Sequence, residues 1–378
     1  MKKLISIALV LSMLFAFSFV ISAKNESDTL QFSEDGKFKI MQVNDTQDTH
    51  RMNKKTAKFL NAALESEKPD LVVIVGDMLA DFYPFATKEK LEKALYELGK
   101  IFDDAAVPFT MTFGNHDYDH TENLSLEEMV EVFRQFEYFR YSEGCDEGTF
   151  NLPVVSSAGK DYTLNIYMMD THGKVDGNYE GVYPEQVEWY KNTSDSLKKE
   201  NGGKVVPSIL FQHIPVKEMH QFFVEGEKGA EDSFYNFESK KWFTLGDNVI
   251  VSETNYAGES PCSEPVGYKT GQYEAWLEKG DIIGAFFGHD HVNNFVGITE
   301  DGITLGYNGG SGFHSYGMGD KRSVRIFEFD EDDVENYETR SVLYGELTGK
   351  SFSFAIPDLM VFVTAIFRFF YKVLPFLK

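Results

Sequence analysis

Leu71-Val72-Val73-Ile74-Val75 places five apolar residues in a row and stops at Gly76-Asp77. A strand with one wet face alternates apolar and polar positions, so a run with no polar position needs cover on both faces. The run therefore predicts a central strand in a layered α/β fold. The same pattern recurs along the chain. Lys37 to Val43 is followed closely by Asp45, and Phe109 to Phe113 by Gly114-Asn115-His116-Asp117. Val205 to Gln212 runs into His213, and Ile282 to Phe287 into Gly288-His289-Asp290-His291. Helical spacing separates the first three runs, over Lys54 to Ser66 (Ala57, Leu60, Leu64) and over about Thr87 to Phe102. Strands alternating with helices predict a parallel or mixed sheet with crossover helices. Polar turns at the carboxyl ends of strands are where such sheets place their sites.

Further strands are predicted over Tyr162 to Met169, Asn294 to Ile298, Gly302 to Tyr307 and Ser323 to Phe329, with a helix over Pro184 to Leu197. The sequence has no internal repeat and no long linker, so residues 24–350 read as one catalytic domain.

The two ends have a different composition. Met1-Lys2-Lys3, the apolar stretch Leu4 to Val20 and the small pair Ser22-Ala23 read as a signal peptide over residues 1–23. The expected location is outside the cytoplasm, secreted or at the cell surface; the alternative is an uncleaved anchor. Residues 351–378 form an apolar tail interrupted by Arg368 and Lys372, which share a helix face. The tail reads as an interfacial helix at a membrane surface, with a helix packed on the domain or a true span as alternatives.

Net charge is −24, and removing residues 1–23 takes it to −26 because two lysines and no acids are lost. A surface of that sign repels nucleic acid, which is excluded as a partner. A small phosphate ester is compatible, because bound cations would dominate the local field. Cys145 and Cys262 could form one disulfide in an exported protein. Neither has a Cys or His neighbour at zinc-finger spacing. Glycosylation sequons start at Asn25, Asn44, Asn123 and Asn192.

The ordered set Asp45-Thr46-Gln47, Gly76-Asp77, Gly114-Asn115-His116-Asp117, His213-Ile214-Pro215 and Gly288-His289-Asp290-His291 resembles the calcineurin-like metallophosphoesterase superfamily over roughly residues 37–330. Gly288 to Asn294 and Gly306 to Gly317 look most like the bacterial, plant and fungal phosphatases near the purple acid phosphatase group. The resemblance implies a four-layer α-β-β-α sandwich of two mixed sheets flanked by helices. It also implies two divalent or mixed-valence transition metals, iron, manganese or zinc, whose mixed oxygen and nitrogen ligands suit them. Asp45 and His291 would hold the first ion, Asp77 would bridge, and Asn115, His213 and His289 would hold the second. A hydroxide between the ions would attack the phosphorus of a small phosphate ester. His116 would protonate the leaving oxygen, with Asp117 orienting its ring.

Two positions depart from the pattern. The usual motif is Asp-x-His, and position 47 is Gln, whose neutral carbonyl is a weaker metal donor. The tyrosine ligand of purple acid phosphatases is replaced by Ala80, so no violet colour is expected. Asp48 could substitute as a donor, or be a solvated acid. Plain structural readings stand beside these: Asp77 as a turn or capping residue, His213 as a hydrogen-bonded core histidine, His116 as structural. His120 and His172 read as surface histidines, and His314 as a residue that lines the cleft. Gly309 to Gly312 has no phosphate-loop lysine and reads as a tight turn near the site. The functional alternative is a non-catalytic surface binding protein that retains the fold.

Overall fold

The computed structural model describes residues 29–80, 86–231, 233–236, 240–250, 255–259 and 270–351. The expected leader, Cys262 and with it the disulfide that it could form with Cys145, and the tail beyond residue 351 lie outside the described residues. Among these, no helix is long and apolar enough to cross a membrane.

Strands β1 (Lys37–Val43), β2 (Leu71–Val75) and β3 (Phe109–Thr112) pair in parallel with β2 in the middle. All five residues of β2 are buried, as its unbroken apolar run requires. β14 (Ser323–Asp330) and β15 (Glu338–Leu343) extend this sheet antiparallel, giving the order β15-β14-β1-β2-β3. Three helices cover its outer face: α1 (Lys54–Glu67), α2 (Lys88–Asp104) and α3 (Leu126–Phe133). Phe59, Leu95, Phe102 and Phe133 on those helices pack with Val43, Val72, Ile74 and Met111 of the sheet. Helix α3 follows from a capping box that the sequence reading passed over: Ser125 accepts from Glu128 N, and Glu128 accepts from Ser125 N.

The second sheet, from β4 (Phe150–Val155) onward, includes β5 (Tyr162–Met169), β6 (Ser208–Gln212), β10 (Val249–Ile250), β11 (Ile282–Phe287), β12 (Val296–Ile298) and β13 (Thr304–Tyr307). Their order is β4-β5-β6-β11-β13-β12-β10. β5, β6, β11 and β13 run parallel, and β4, β12 and β10 pair antiparallel. β6 begins at Ser208 rather than Val205, because Pro207 has no N–H for the ladder. Helices α4 (Pro184–Glu200) and α5 (Gln272–Lys279) cover the outer face through Val187, Tyr190 and Trp276. A separate antiparallel sheet of β7 (Phe223–Gly226), β8 (Phe234–Asn236) and β9 (Lys241–Leu245) has order β7-β9-β8.

The inner faces of the two main sheets meet through aromatic rings. Phe327 of β14 packs edge-on against Phe286 of β11 at 4.4 Å and Phe211 of β6 at 5.4 Å. Each buried ring contributes about 1.5–3 kcal/mol relative to exposure. The fold is therefore the expected α/β sandwich of four layers, α-β-β-α, with two mixed sheets between helices. Sheet-on-sheet packing brings the ends of β1, β2 and β3 beside those of β6 and β11.

Candidate metal centre

The turns after these strands share an unusual backbone. Asp45, Gln47, Asp77 and His289 have φ of 54°, 47°, 49° and 74°. Side-chain-bearing residues rarely adopt this left-handed region, and those that do concentrate at functional sites. Before Asp77 stands Gly76 at φ 72°, where an added Cβ would lie 2.5 Å from Gly114 N. Glycine thus lets the ends of β2 and β3 touch.

That contact aims Asp77. His116 N donates to Asp77 Oδ1 at 2.8 Å, while Oδ2 faces His213 Nε2 at 3.2 Å. Asp45 is held in the same manner. Its Oδ2 accepts from Asn44 Nδ2 at 2.5 Å and His289 N at 3.1 Å. Its Oδ1 faces His291 Nε2 at 3.1 Å and His213 Nε2 at 3.9 Å. Both histidines are fixed from behind: His213 Nδ1 lies 2.9 Å from Val75 O and His291 Nδ1 3.0 Å from Tyr316 O. A backbone carbonyl accepts a hydrogen bond from Nδ1–H and leaves Nε2 as the metal-facing donor. The His289 ring meets His213 edge-on at 5.2 Å.

These residues fit a cation. One ligand atom each from Asp45, Asp77 and His291 lies within 4.8 Å of the others. Two ligands of one ion with bonds of about 2.0–2.2 Å stand about 3 Å apart, close to the Asp77–His213 and Asp45–His291 spacings. Both side-chain polar atoms of Asn115 are buried without a hydrogen-bond partner among the described residues, and Asp45 Oδ1 and His213 Nε2 have only the ion-pair contacts just given. Each unmet group costs about 1–3 kcal/mol, a cost that coordination removes. Asp77 stands both with Asp45 and His291 and with His213.

The electrostatics agree. Burial opposes ionisation of Asp77, but His213 more than offsets it and lowers its pKa. Burial also opposes a charged His213, yet Asp77 and Asp45 hold its proton and push its pKa up to about 10. A cation bound there takes that proton's place. Burial and the charge of His213 push His289 down to about 3, which keeps it a neutral ligand.

The fold brings Asp45, Gln47, Asp77, His213, His289 and His291 to one place, and buries Asn115 in the turn whose Gly114 packs on Asp77. Gln47 arrives differently from a metal donor: its Nε2 donates to Asp77 Oδ2 at 3.0 Å. Asp117 requires a correction. Its oxygens accept from Leu79 N and Gly114 N, both at 2.9 Å, so it ties two turns together. The carboxylate on His116 is that of Asp119, whose Oδ2 lies 2.7 Å from Nδ1. Asp48 is not solvated but buried, accepting from Asn53 N at 2.9 Å. His120 is buried on Ala80 O at 2.6 Å. His172 is nearly buried, stacked on Tyr183 at 3.9 Å. His314 comes within 4.0 Å of Asp48 Oδ1. Asn44 is fully buried and bonded to Asp45 and Asn308, which leaves no room for a glycan there.

The sequence reading missed Tyr316, whose ring stacks on His291 at 4.2 Å. Its loop is laced to the site by Gly310 N on His291 O, Ser311 N on Asn44 O and Gly312 N on Asp45 O, at 3.0–3.2 Å. It also missed the hairpin of Lys174–Val175 and Asn178–Tyr179, which lays Tyr179 against His289 at 4.7 Å. The Asp176-Gly177 pair was the available signal, since Asp-Gly favours a two-residue hairpin turn.

The sequence profile of the calcineurin-like phosphoesterases matches residues 38–293. The chain is 27% identical over 338 residues to "Probable inactive purple acid phosphatase 14" of Arabidopsis thaliana, covering 79% of this chain and 77% of that protein. It is 27% identical over 352 residues to "Probable inactive purple acid phosphatase 29" of the same plant, covering 82% and 81%. With "Phosphatase DCR2" of Saccharomyces cerevisiae it shares 24% identity over 333 residues, covering 79% of this chain and 52% of that protein.

Proposed function

This chain belongs to the calcineurin-like phosphoesterase family, and on that premise we propose that it hydrolyses small phosphate esters at a dinuclear metal centre. The observation that carries the proposal is the convergence of Asp45, Asp77, His213, His289 and His291 beside Asn115, whose buried side-chain polar atoms have no hydrogen-bond partner among the described residues. Asp45 and His291 would hold one ion, Asn115, His213 and His289 the other, and Asp77 both. When bound, such a pair supplies Lewis acidity and an activated water at neutral pH.

The protein's own residues supply the rest. The backbone N–H of His116 fixes Asp77. Its ring, 21% exposed, is held by Asp119 at Nδ1, which would leave Nε2 to serve a leaving oxygen. Burial of the ligands excludes bulk water from the cluster and strengthens each interaction within it.

The second reading is a binding protein that retains the fold without turnover. Its support is the word "inactive" in the names of two relatives and the amide nitrogen, rather than oxygen, that Gln47 turns to Asp77. Metal content per chain, measured with 4-nitrophenyl phosphate turnover after loading manganese, iron or zinc, separates the two. About two ions per chain with turnover is the expected result. Metal-free protein with no turnover under any of the three overturns the hydrolase reading.

We propose also that the protein works outside the cytoplasm, on the basic, apolar and small-residue order of residues 1–23. The apolar and basic tail would hold it at a membrane surface. Fractionation of a chain lacking residues 352–378 tests this; undiminished membrane association rules the tail out as the anchor.

A further inference from the structure

The hairpin beside His289 carries an inference that rests on the phosphoester reading and adds the class of leaving group to it. Lys174 pairs with Tyr179 and Val175 with Asn178 across a turn at Asp176 (φ 52°) and Gly177 (φ 82°). Two successive positive φ values are what a tight hairpin turn of matching twist needs. Below the hairpin, Glu180 N donates to Gly173 O at 3.2 Å and Gly181 N to Thr171 O at 2.8 Å.

Its base is fixed. Asp170 accepts from His172 N at 2.9 Å and from the Tyr118 hydroxyl. The His172 ring bonds Gly181 O at 3.0 Å and stacks on Tyr183. Gly173 packs so closely on Tyr118 that an added Cβ would lie 2.9 Å from the Cβ of Tyr118. Tyr118 follows His116 by two residues, so the base of the hairpin adjoins the turn that carries the proposed proton donor.

Its tip carries a charge. Lys174 Nζ sits 4.4 Å over the Tyr179 ring, and that ring lies 4.7 Å from His289. The ammonium is therefore no more than about 9 Å from a metal-ligand ring. Lys174 is exposed and has no ion pair with a carboxylate among the described residues. A cation–π contact is worth only about 0.5–1 kcal/mol at an exposed site and leaves the N–H donors available to a ligand. In a chain of net charge −24, most of the surface repels an anion. A second negative group on a bound ester would find a cation at Lys174.

We propose that this hairpin selects phosphate esters whose alcohol portion carries a second anionic group, held by Lys174 while the phosphate lies at the metal centre. The test compares 4-carboxyphenyl phosphate with phenyl phosphate as substrates of the manganese-loaded protein. It also compares binding of 4-carboxyphenylphosphonate with phenylphosphonate by calorimetry. The ratio of kcat/KM for the carboxylated over the plain ester should fall about fivefold in Lys174→Ala, the scale of a solvent-exposed ion pair. It should reverse in Lys174→Glu and be kept in Lys174→Arg. The phosphonate affinity ratio should follow the same order and shrink at high salt. Phosphonate discrimination that depends on Lys174 without turnover of any ester would remove the hydrolase reading and keep the recognition inference. Equal ratios in wild type and Lys174→Ala, or no binding of either phosphonate, would overturn the inference.

Discussion

Asp77 and His213 face each other across the two sheets, with Oδ2 of the one 3.2 Å from Nε2 of the other. Asp77 follows β2 of the first sheet, and His213 follows β6 of the second. His213 also reaches back to Val75 O, the last carbonyl of β2. The centre is thus a seam between layers, and a cation there joins them. Asp77→Ala removes the residue shared by both ligand groups. Because losing an outer partner of a ligand already costs about 10–100-fold in metal affinity, this variant should lose more than 100-fold. Metal content after dialysis, measured with circular dichroism as a check on folding, gives the answer. A folded variant that keeps wild-type metal would contradict the bridging role.

His116 and Asp119 form the second test. His116→Ala should lower turnover about 100-fold or more for poor leaving groups and less for good ones, since only a poor leaving group needs the proton. Asp119→Asn keeps the ring but removes the carboxylate charge beside its Nδ1, so it should follow the same trend with a smaller loss. Asp117→Asn should instead cost stability, because its oxygens serve Leu79 and Gly114. Turnover of a series of aryl phosphates, plotted against leaving-group pKa, checks the order. A uniform loss across the series in His116→Ala would count against its acid role.

The parts of this site that the sequence made legible are local. A strand-like run that ends in a turn bearing Asp, Asn or His marks a strand and its terminal turn, and the five such turns at Asp45, Asp77, Asn115, His213 and His289 converge. What was not legible depends on directions that residue spacing does not encode. Asp117 is adjacent to His116 and Asp119 lies three residues on, yet Asp117 turns back onto backbone N–H groups and Asp119 meets the ring. His120 and His172 give no periodic signal, so their burial follows only from tertiary packing. The hairpin at Lys174 and Tyr179 was marked only by Asp-Gly, with flanking strands too short to show alternation.

Gly76 is a test of the backbone. Alanine there meets both a positive φ and a Cβ contact of 2.5 Å with the backbone of Gly114. A left-handed side-chain-bearing residue costs about 1–3 kcal/mol, and the rigid neighbour adds to it. Gly76→Ala should therefore lower the urea midpoint and also weaken metal binding, since Asp77 must shift with the turn. Equal midpoints for the two proteins would show that the β2–β3 contact has slack.

Gln47→His restores the donor that the related motif carries at this place. The position has φ 47°, which His tolerates better than most residues. An imidazole donor in place of an amide should tighten binding of the more weakly held ion, by about tenfold at neutral pH where it is uncharged. It also removes the hydrogen bond to Asp77 Oδ2, freeing that oxygen for coordination. Competition with a chelator measures the change. Weaker binding in the variant would mean that the Gln47 amide supports Asp77 more than a new ligand would help.

Asp170 links the hairpin base to pH. Burial pushes its carboxyl up to about 6 from the ordinary 3.8, against the opposing pull of His172 and the Tyr118 hydroxyl. The folded chain then holds this proton more tightly than the unfolded chain does. By linkage, the stability so gained is complete below about pH 3.8 and is lost as pH rises through about 6. The window follows from the upward direction of the shift, and it is opposite to that of a carboxylate stabilised by a cation. The effect is of order 1–3 kcal/mol. In Asp170→Asn this titration is absent, so the wild type should lose stability relative to the variant between pH 4 and 7. Urea midpoints of both proteins at several pH values isolate the group, because every other titration is shared. A gap that stays constant over that range would mean that Asp170 keeps its charge in the fold, held by Tyr118 and His172 strongly enough to defeat burial.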